Sequence, residues 1–151
     1  MPGPENGPDR DETAAGILFA CNMNSIRSPM AEAIARHLLG PDVLIDSVGV
    51  YEGGPDPFVE MILAEDGIAL GEHEAKTFEE IDPSRFGTAI MLTDEAVERA
   101  GALFPPSSVE FWPIPNPTDE RGSRDQLMAA YRAARDALKM RIISRFGALV
   151  P

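Results

Sequence analysis

The sequence predicts an α/β fold in three layers, a four-stranded parallel sheet flanked by helices on both faces. Three observations carry this. Short apolar runs alternate with helical patterns from residue 16 to the end, the order that a parallel sheet covered on both sides requires. The chain has 151 residues, enough for one domain with a substantial core and too few for two. The stretches after Ala20 and after Trp112 are rich in polar and proline residues, and each follows an apolar run. In such sheets ligands bind outside the carboxyl ends of the strands, so both stretches can reach one crevice.

The elements follow in order. Gly16–Ala20 is the first strand, and a helix spans about Pro29–Leu39, with Met30, Ile34, His37 and Leu38 on one face. His37 is accordingly expected as a satisfied core histidine. Gly40-Pro41 stops this helix, and Val43–Ser47 is the second strand. Asp56-Pro57 opens a helix whose apolar stripe includes Phe58, Met61, Ile62 and Ala69. Gly87–Thr93 is the third strand, followed by a short helix over Asp94–Ala100 with Asp94 as the expected N-cap. Val109–Trp112 is the fourth strand, before a proline-rich loop. Ser123 with Gln126 forms a capping box that opens the last helix. There Leu127, Tyr131, Ala134, Leu138 and Ile142 form the buried stripe, while Arg132, Arg135, Asp136 and Lys139 are expected in solvent.

The most informative stretch is Cys21-Asn22-Met23-Asn24-Ser25-Ile26-Arg27-Ser28-Pro29, between the first strand and the first helix. Only the thiolate of a cysteine is a good nucleophile, and at an ordinary pKa of about 8.5 the thiol is mostly protonated at neutral pH. The residues from Asn22 to Ile26 let the backbone curl so that successive N–H groups face one anion. The first turn of the following helix adds partial positive charge, which favours an oxyanion and a thiolate alike. Arg27 then returns to the mouth of the loop, where its planar guanidinium can grip two oxygens at once. Ser28 fits an N-cap and can also support the thiolate, and Pro29 fits the first helical position. Asn24 tolerates the left-handed backbone that a tight curl needs. A lone cysteine after a strand is also commonly a small buried hydrophobe. The preceding strand, the Ser-Pro helix start and the absence of any other cysteine favour the reactive reading.

Composition sets limits. The net charge of −12 argues against nucleic acid and anionic membrane surfaces as partners. It also repels a phosphorylated substrate at long range, so attraction must come locally from Arg27 and the loop amides. One cysteine cannot form an internal disulfide, and with only two histidines a Cys/His metal site is not expected. No cofactor is expected either. A single reactive thiol suits a reducing cytoplasm. Residues 1–14 are acidic and rich in Gly and Pro, without the apolar core of a secretory signal, and are expected to be a disordered tail before a domain over 15–151. No apolar run approaches the roughly 20 residues that span a bilayer.

The segment ILFACNMNSIRSPMAEA, residues 17–33, resembles the low-molecular-weight protein tyrosine phosphatases and their relatives, the thioredoxin-coupled arsenate reductases. Asp46-Ser47-Val48-Gly49, Tyr51-Glu52-Gly53-Gly54-Pro55, Gly67-Ile68, His73-Glu74-Ala75-Lys76 and Trp112-Pro113-Ile114-Pro115-Asn116-Pro117 resemble later family segments, in the family's order. The resemblance implies a three-layer phosphatase I-like sandwich. It implies a cysteine-dependent phosphatase acting on phosphotyrosine or small aryl phosphates through a phosphocysteine, with Cys21 and Arg27 catalytic and Ser28 in support. The partner would be a phosphorylated protein or a small oxyanion. Asn24 and Ser47 would fix the loop shape, Glu32 and His73 would form a buried polar pair behind it, and Asp94 would match the family's strand-end Asp. Tyr51 would wall the substrate ring, or else pack on the surface.

The departures from the family pattern bear on activity. One Asp, in an Asp-Pro dipeptide after the fourth strand, serves the family as general acid and base; here that position is Asn116. Losing such catalysis typically costs about 10²–10⁴ in rate. Asp119 is the nearest possible substitute. Ile26 stands where family phosphatases carry a second cysteine, and Thr118 where they carry an aromatic. Trp112, Asn116-Pro117-Thr118 and Gly122-Ser123 match the arsenate reductase branch, but that chemistry needs relay cysteines, and the first would fall in Leu92-Thr93-Asp94. Reduction would then fall to an external thiol. A non-catalytic phosphoanion binder is the third reading.

Overall fold

The computed structural model describes residues 16–151, and the tail expected over 1–14 lies outside them. Four strands, β1 (Gly16–Cys21), β2 (Ile45–Gly49), β3 (Phe86–Met91) and β4 (Val109–Phe111), form one parallel sheet in the order β2-β1-β3-β4. Four α-helices join them: α1 (Arg27–Leu39), α2 (Val59–Ala64), α3 (Asp94–Ala100) and α4 (Arg124–Phe146). No helix among the described residues is long and apolar enough to cross a membrane.

The central strand explains the layering. Every residue of β1 is buried, and successive side chains point to opposite faces. Ile17, Phe19 and Cys21 join a core with α1, α2 and α4, including Met30, Ile62 and Leu138. Leu18 and Ala20 join a second core with Val48, Phe78, Met91 and the α3 residues Ala96 and Ala100. Cys21 is thus the last rung of a strand buried on both sides.

Several local expectations shift. The second strand starts two residues later than expected, because pairing with β1 sets its register from Ile17–Ile45 to Cys21–Gly49. Helix α1 begins at Arg27, so Ser28 lies in the first turn and is not the N-cap; Ile26 takes that position with no side-chain cap. Pro29 is the third helical residue, still in the turn whose N–H groups lack helical partners. His37 is exposed in the last turn beside Arg36, where a basic side chain complements the negative helix end, and is no core histidine. The helix after Asp56 is short. It ends at Ala64 before Gly67, whose φ of 72° breaks the period, so Ala69 is exposed and the stripe is Val59, Ile62 and Leu63. Met61, at 42% exposure, faces solvent instead. Thr93, not Asp94, caps α3: its hydroxyl accepts from the Ala96 amide at 3.1 Å.

The capping box of Ser123 and Gln126 forms as expected. Leu127 is only half-buried, and Met128 and Phe146 extend the stripe. Arg135 departs from the solvated face: it is buried because α2 packs over it and its donors are satisfied there. They reach the Ile62 carbonyl at 3.0 Å and Glu65 at 2.8 Å. Arg132 adds hydrogen bonds of 2.8–3.2 Å to Glu65. Hydrogen bonds from Arg132 and then Arg135 hold the Glu65 carboxyl down at about 2. A carboxyl depressed on folding stabilises above its unfolded pKa of about 4.3 and loses that contribution as pH falls toward the folded value. Glu65→Gln should therefore lower the melting temperature at pH 7 and flatten its decline between about pH 5 and 2, as thermal melts across that window would read.

Candidate active site

Cys21 ends β1 beside Gly49, and its Sγ lies 3.0 Å from Ser28 Oγ. Ser28 Oγ accepts from Asn24 Nδ2 at 2.9 Å and lies 3.2 Å from the Val48 carbonyl. Its one proton can go to that carbonyl or to the sulfur. A thiolate would draw it to the sulfur, since hydrogen bonds to charged acceptors are the stronger ones.

Asn24 is the pin of the loop. Its φ is 54°, the one positive value at a non-glycine among the described residues, and it is fully buried. Nδ2 donates to Ser28 Oγ at 2.9 Å and Ser47 Oγ at 3.0 Å, and Oδ1 accepts from the Lys76 amide at 3.0 Å. Ser47 Oγ donates to Glu32 Oε1 at 2.6 Å, and Glu32 also pairs with Arg36. His73 Nε2 donates to the Asn24 carbonyl at 3.0 Å. Glu32 and His73 both brace the loop, but through different atoms of Asn24 and its neighbours and not as a pair. Glu32 is taken by Arg36, one helical turn along, and Ser47 stands between.

The first carbonyls of the loop are satisfied by the segment that follows β2. Cys21 O accepts from Val50 N at 3.1 Å, Asn22 O from Tyr51 N at 2.7 Å, and Met23 O from Gly53 N at 2.9 Å. Ser25 Oγ adds a 2.6 Å bond to the Gly54 carbonyl. No amide from Asn22 to Ile26 donates a hydrogen bond to the described residues. Unpartnered amides converging beside a helix N-terminus form an anion-binding concavity.

This close approach requires glycine at position 49. A Cβ there would stand 2.6 Å from the Tyr51 carbonyl oxygen and 2.7 Å from the Asn24 amide, both backbone atoms that cannot yield. In the sequence Gly49 stood out only as the end of the family-like segment Asp46-Ser47-Val48-Gly49. Lys76 closes the family-like segment His73-Glu74-Ala75-Lys76, but the grip of its amide on Asn24 carried no signal of its own, because a backbone contact does not depend on side-chain type.

Cys21, Met23, Ser25, Gly53 and Thr118 line a cavity of about 200 Å³ together with Arg27 and Asn116. A larger cavity of about 590 Å³ adjoins it across Arg27 and Asn116, and Asp94, Glu95 and Asp119 line that one. Arg27 Nη1 donates to the Ile114 carbonyl at 2.9 Å, which ties the guanidinium to the loop after β4. Asn116 therefore stands in the Cys21 crevice. Its Oδ1 caps the turn at Pro117–Asp119, accepting from Thr118 N at 3.0 Å and Thr118 Oγ1 at 2.9 Å. Asp119 lines the neighbouring chamber and not the Cys21 cavity. Tyr51 is 51% exposed, gives its hydroxyl to Glu95 at 2.8 Å and lines neither cavity.

A thiol at the end of a central parallel strand, followed by a loop whose amides find no acceptor among the described residues, with an arginine lining the same small cavity, defines an α/β protein with its cysteine and arginine at one site. The chain belongs to the low molecular weight phosphotyrosine protein phosphatase family, which it matches over residues 16–145. It is 30% identical over 129 residues to an arsenate reductase of Bacillus licheniformis, covering 83% of this chain and 91% of that protein. An arsenate reductase of Halalkalibacterium halodurans is 28% identical over 128 residues, with the same shares of 83% and 91%. Among solved structures, a tyrosine phosphatase of Erwinia amylovora superposes with a TM-score of 0.68 at 21% identity, covering 87% of this chain and 95% of its own. An arsenate reductase in the phosphate-binding state superposes with a TM-score of 0.71 at 20% identity, covering 89% and 98%. These two likenesses concern the fold.

Proposed function

We propose that this chain is a cysteine-dependent hydrolase of phosphate monoesters, slowed on poor leaving groups by Asn116. The observation that carries the reading is the loop from Cys21 to Ser28, with its first carbonyls satisfied, its amides unpartnered and Ser28 Oγ 3.0 Å from the sulfur. The amides of Asn22 to Ile26 and the free guanidinium nitrogens of Arg27 hold the three non-bridging oxygens. The Cys21 thiolate attacks phosphorus, the P–S bond forms and the P–O bond to the leaving group breaks. Water then attacks the phosphocysteine, the P–S bond breaks, phosphate departs and the thiolate, again within reach of the Ser28 hydroxyl, is restored.

Asn116 stands where both half-reactions want a proton carrier, and an amide does not exchange one as a carboxyl does. An activated phenolate leaves without help, whereas an ordinary one waits for a proton from solvent. Steady-state hydrolysis should therefore favour p-nitrophenyl phosphate over phenyl phosphate by about 10²-fold or more, the low end of the general acid contribution. Equal turnover of the two would mean that another acid serves the site. No turnover, with inorganic phosphate still bound in a manner that Arg27→Ala abolishes, would leave a non-catalytic phosphoanion binder.

A second reading is favoured by the relatives named arsenate reductase. The thiolate would attack arsenate and expel hydroxide. An external thiol would then attack Sγ, leaving the electron pair on arsenic as arsenite, and a second thiol would free Cys21 from the mixed disulfide. The external thiols are required because Cys21 is the chain's one cysteine.

A further inference from the structure

We infer that Glu95 sets the ligand range of the Cys21 cavity, holding the Tyr51 ring away from its mouth and so favouring small tetrahedral oxyanions over aryl phosphates. The inference rests on the reading of Cys21 to Ser28 as an oxyanion site. It comes from a chain of hydrogen bonds that the catalytic groups do not need. Tyr51 donates its hydroxyl to Glu95 Oε2 at 2.8 Å, and Asn22 Nδ2 donates to Glu95 Oε1 at 3.0 Å. Thr93 Oγ1 donates to Asn22 Oδ1 at 2.6 Å while capping α3. Both carboxylate oxygens of Glu95 are engaged, and together these bonds fasten the Tyr51 ring to the start of α3.

The backbone of Tyr51 is already at the rim. Its amide donates to the Asn22 carbonyl at 2.7 Å, and Gly53 N donates to the Met23 carbonyl at 2.9 Å, so this segment runs along the outside of the loop. Yet the wall it gives the cavity is Gly53 and Gly54, and Tyr51 is absent from the lining. Where the ring lies is thus a matter of side-chain rotamer, chosen among staggered wells without backbone movement. Glu95 selects the rotamer that points toward α3. The hydrogen bond to the Glu95 carboxylate, and its charge, also raise the Tyr51 hydroxyl above its ordinary pKa.

An inorganic oxyanion needs only the loop amides and Arg27. An aryl phosphate also has a ring to cover, and Met23, Gly53, Gly54 and Thr118 offer it no aromatic face. Releasing Tyr51 would supply one, because offset or edge-to-face aromatic pairs add to simple area burial. The gain is bounded by the net worth of the hydrogen bond given up and the ring contact made, about threefold to tenfold in affinity.

The test is isothermal titration of inorganic phosphate and of phenylphosphonate, neither of which requires turnover, into the wild-type chain, Glu95→Ala, Tyr51→Phe and Tyr51→Ala. The expected result is that Glu95→Ala and Tyr51→Phe each tighten phenylphosphonate relative to phosphate by about threefold to tenfold, and that Tyr51→Ala does not. Simple loss of a negative charge would tighten both ligands by one factor in Glu95→Ala and would do nothing in Tyr51→Phe. An unchanged ratio in both of those variants, with phosphate still bound, overturns the role of Glu95 alone. A wild-type chain that binds neither ligand overturns the oxyanion site and this inference with it.

Discussion

Cys21→Ser should lower p-nitrophenyl phosphate turnover by roughly 10³-fold or more, since removing the nucleophile of a covalent mechanism is among the largest single losses an enzyme shows. Phosphate binding should survive. The serine hydroxyl is smaller than the thiol, sits in the same buried place at the end of β1 and leaves Ser28, Asn24 and the loop amides as they are. What disappears is an atom that can carry a full negative charge near neutral pH, as a thiolate can and an alkoxide cannot. Steady-state assay together with calorimetric phosphate binding reads both halves. Turnover that persists in Cys21→Ser would remove the thiol from the reaction.

Asn116→Asp should act in the opposite direction. The side chain lines the same cavity as Cys21 and Arg27, so a carboxyl there would stand beside the departing oxygen. The change should spare the fold, because Asp caps a turn as well as Asn and can accept from Thr118 N and Oγ1 as Asn116 Oδ1 does. Phenyl phosphate turnover should rise by about 10²-fold, and p-nitrophenyl phosphate turnover much less, because only the poorer leaving group needs the proton. Asp119→Asn is the matched control. Its carboxyl faces the adjoining chamber, so phenyl phosphate turnover in the otherwise wild-type chain should stay within about twofold, well below the 10² of a lost general acid. A fall in Asp119→Asn, with no gain in Asn116→Asp, would transfer the acid role to Asp119.

Local chemistry made much of the molecule legible. The capping box at Ser123 and Gln126 forms as read, because both partners lie within four residues and need no tertiary contact. The left-handed Asn24 follows from the same kind of local preference. Errors cluster where distant packing overrides periodicity. Ala69 lies off the core because the helix stops before Gly67, Met61 falls on the solvent side of α2, and Arg135 is buried because α2 brings acceptors to it. His37 suited the apolar face by spacing, yet the last turn of α1 exposes it.

The candidate site divides along the same line. Cys21, Arg27 and Ser28 share one continuous stretch at a strand-to-helix junction, so the thiol, the guanidinium and the loop amides could be read without knowing what surrounds them. The brace behind the loop resembles a family pattern, but the actual partners depend on which atoms meet. Ser47 stands between Asn24 and Glu32, and His73 reaches a carbonyl and not a carboxylate.

By itself the sequence determined the layered parallel fold, the single thiol and the loop that follows it. Each of these is carried by residue identity or by spacing along the chain. Only the tertiary structure decided that Asn116 enters the thiol cavity while Asp119 lines the next one, and that Tyr51 is bound to Glu95 and lines neither. These are contacts between loops far apart in sequence, and their geometry is set by how the sheet and helices pack, which no local pattern of residues encodes.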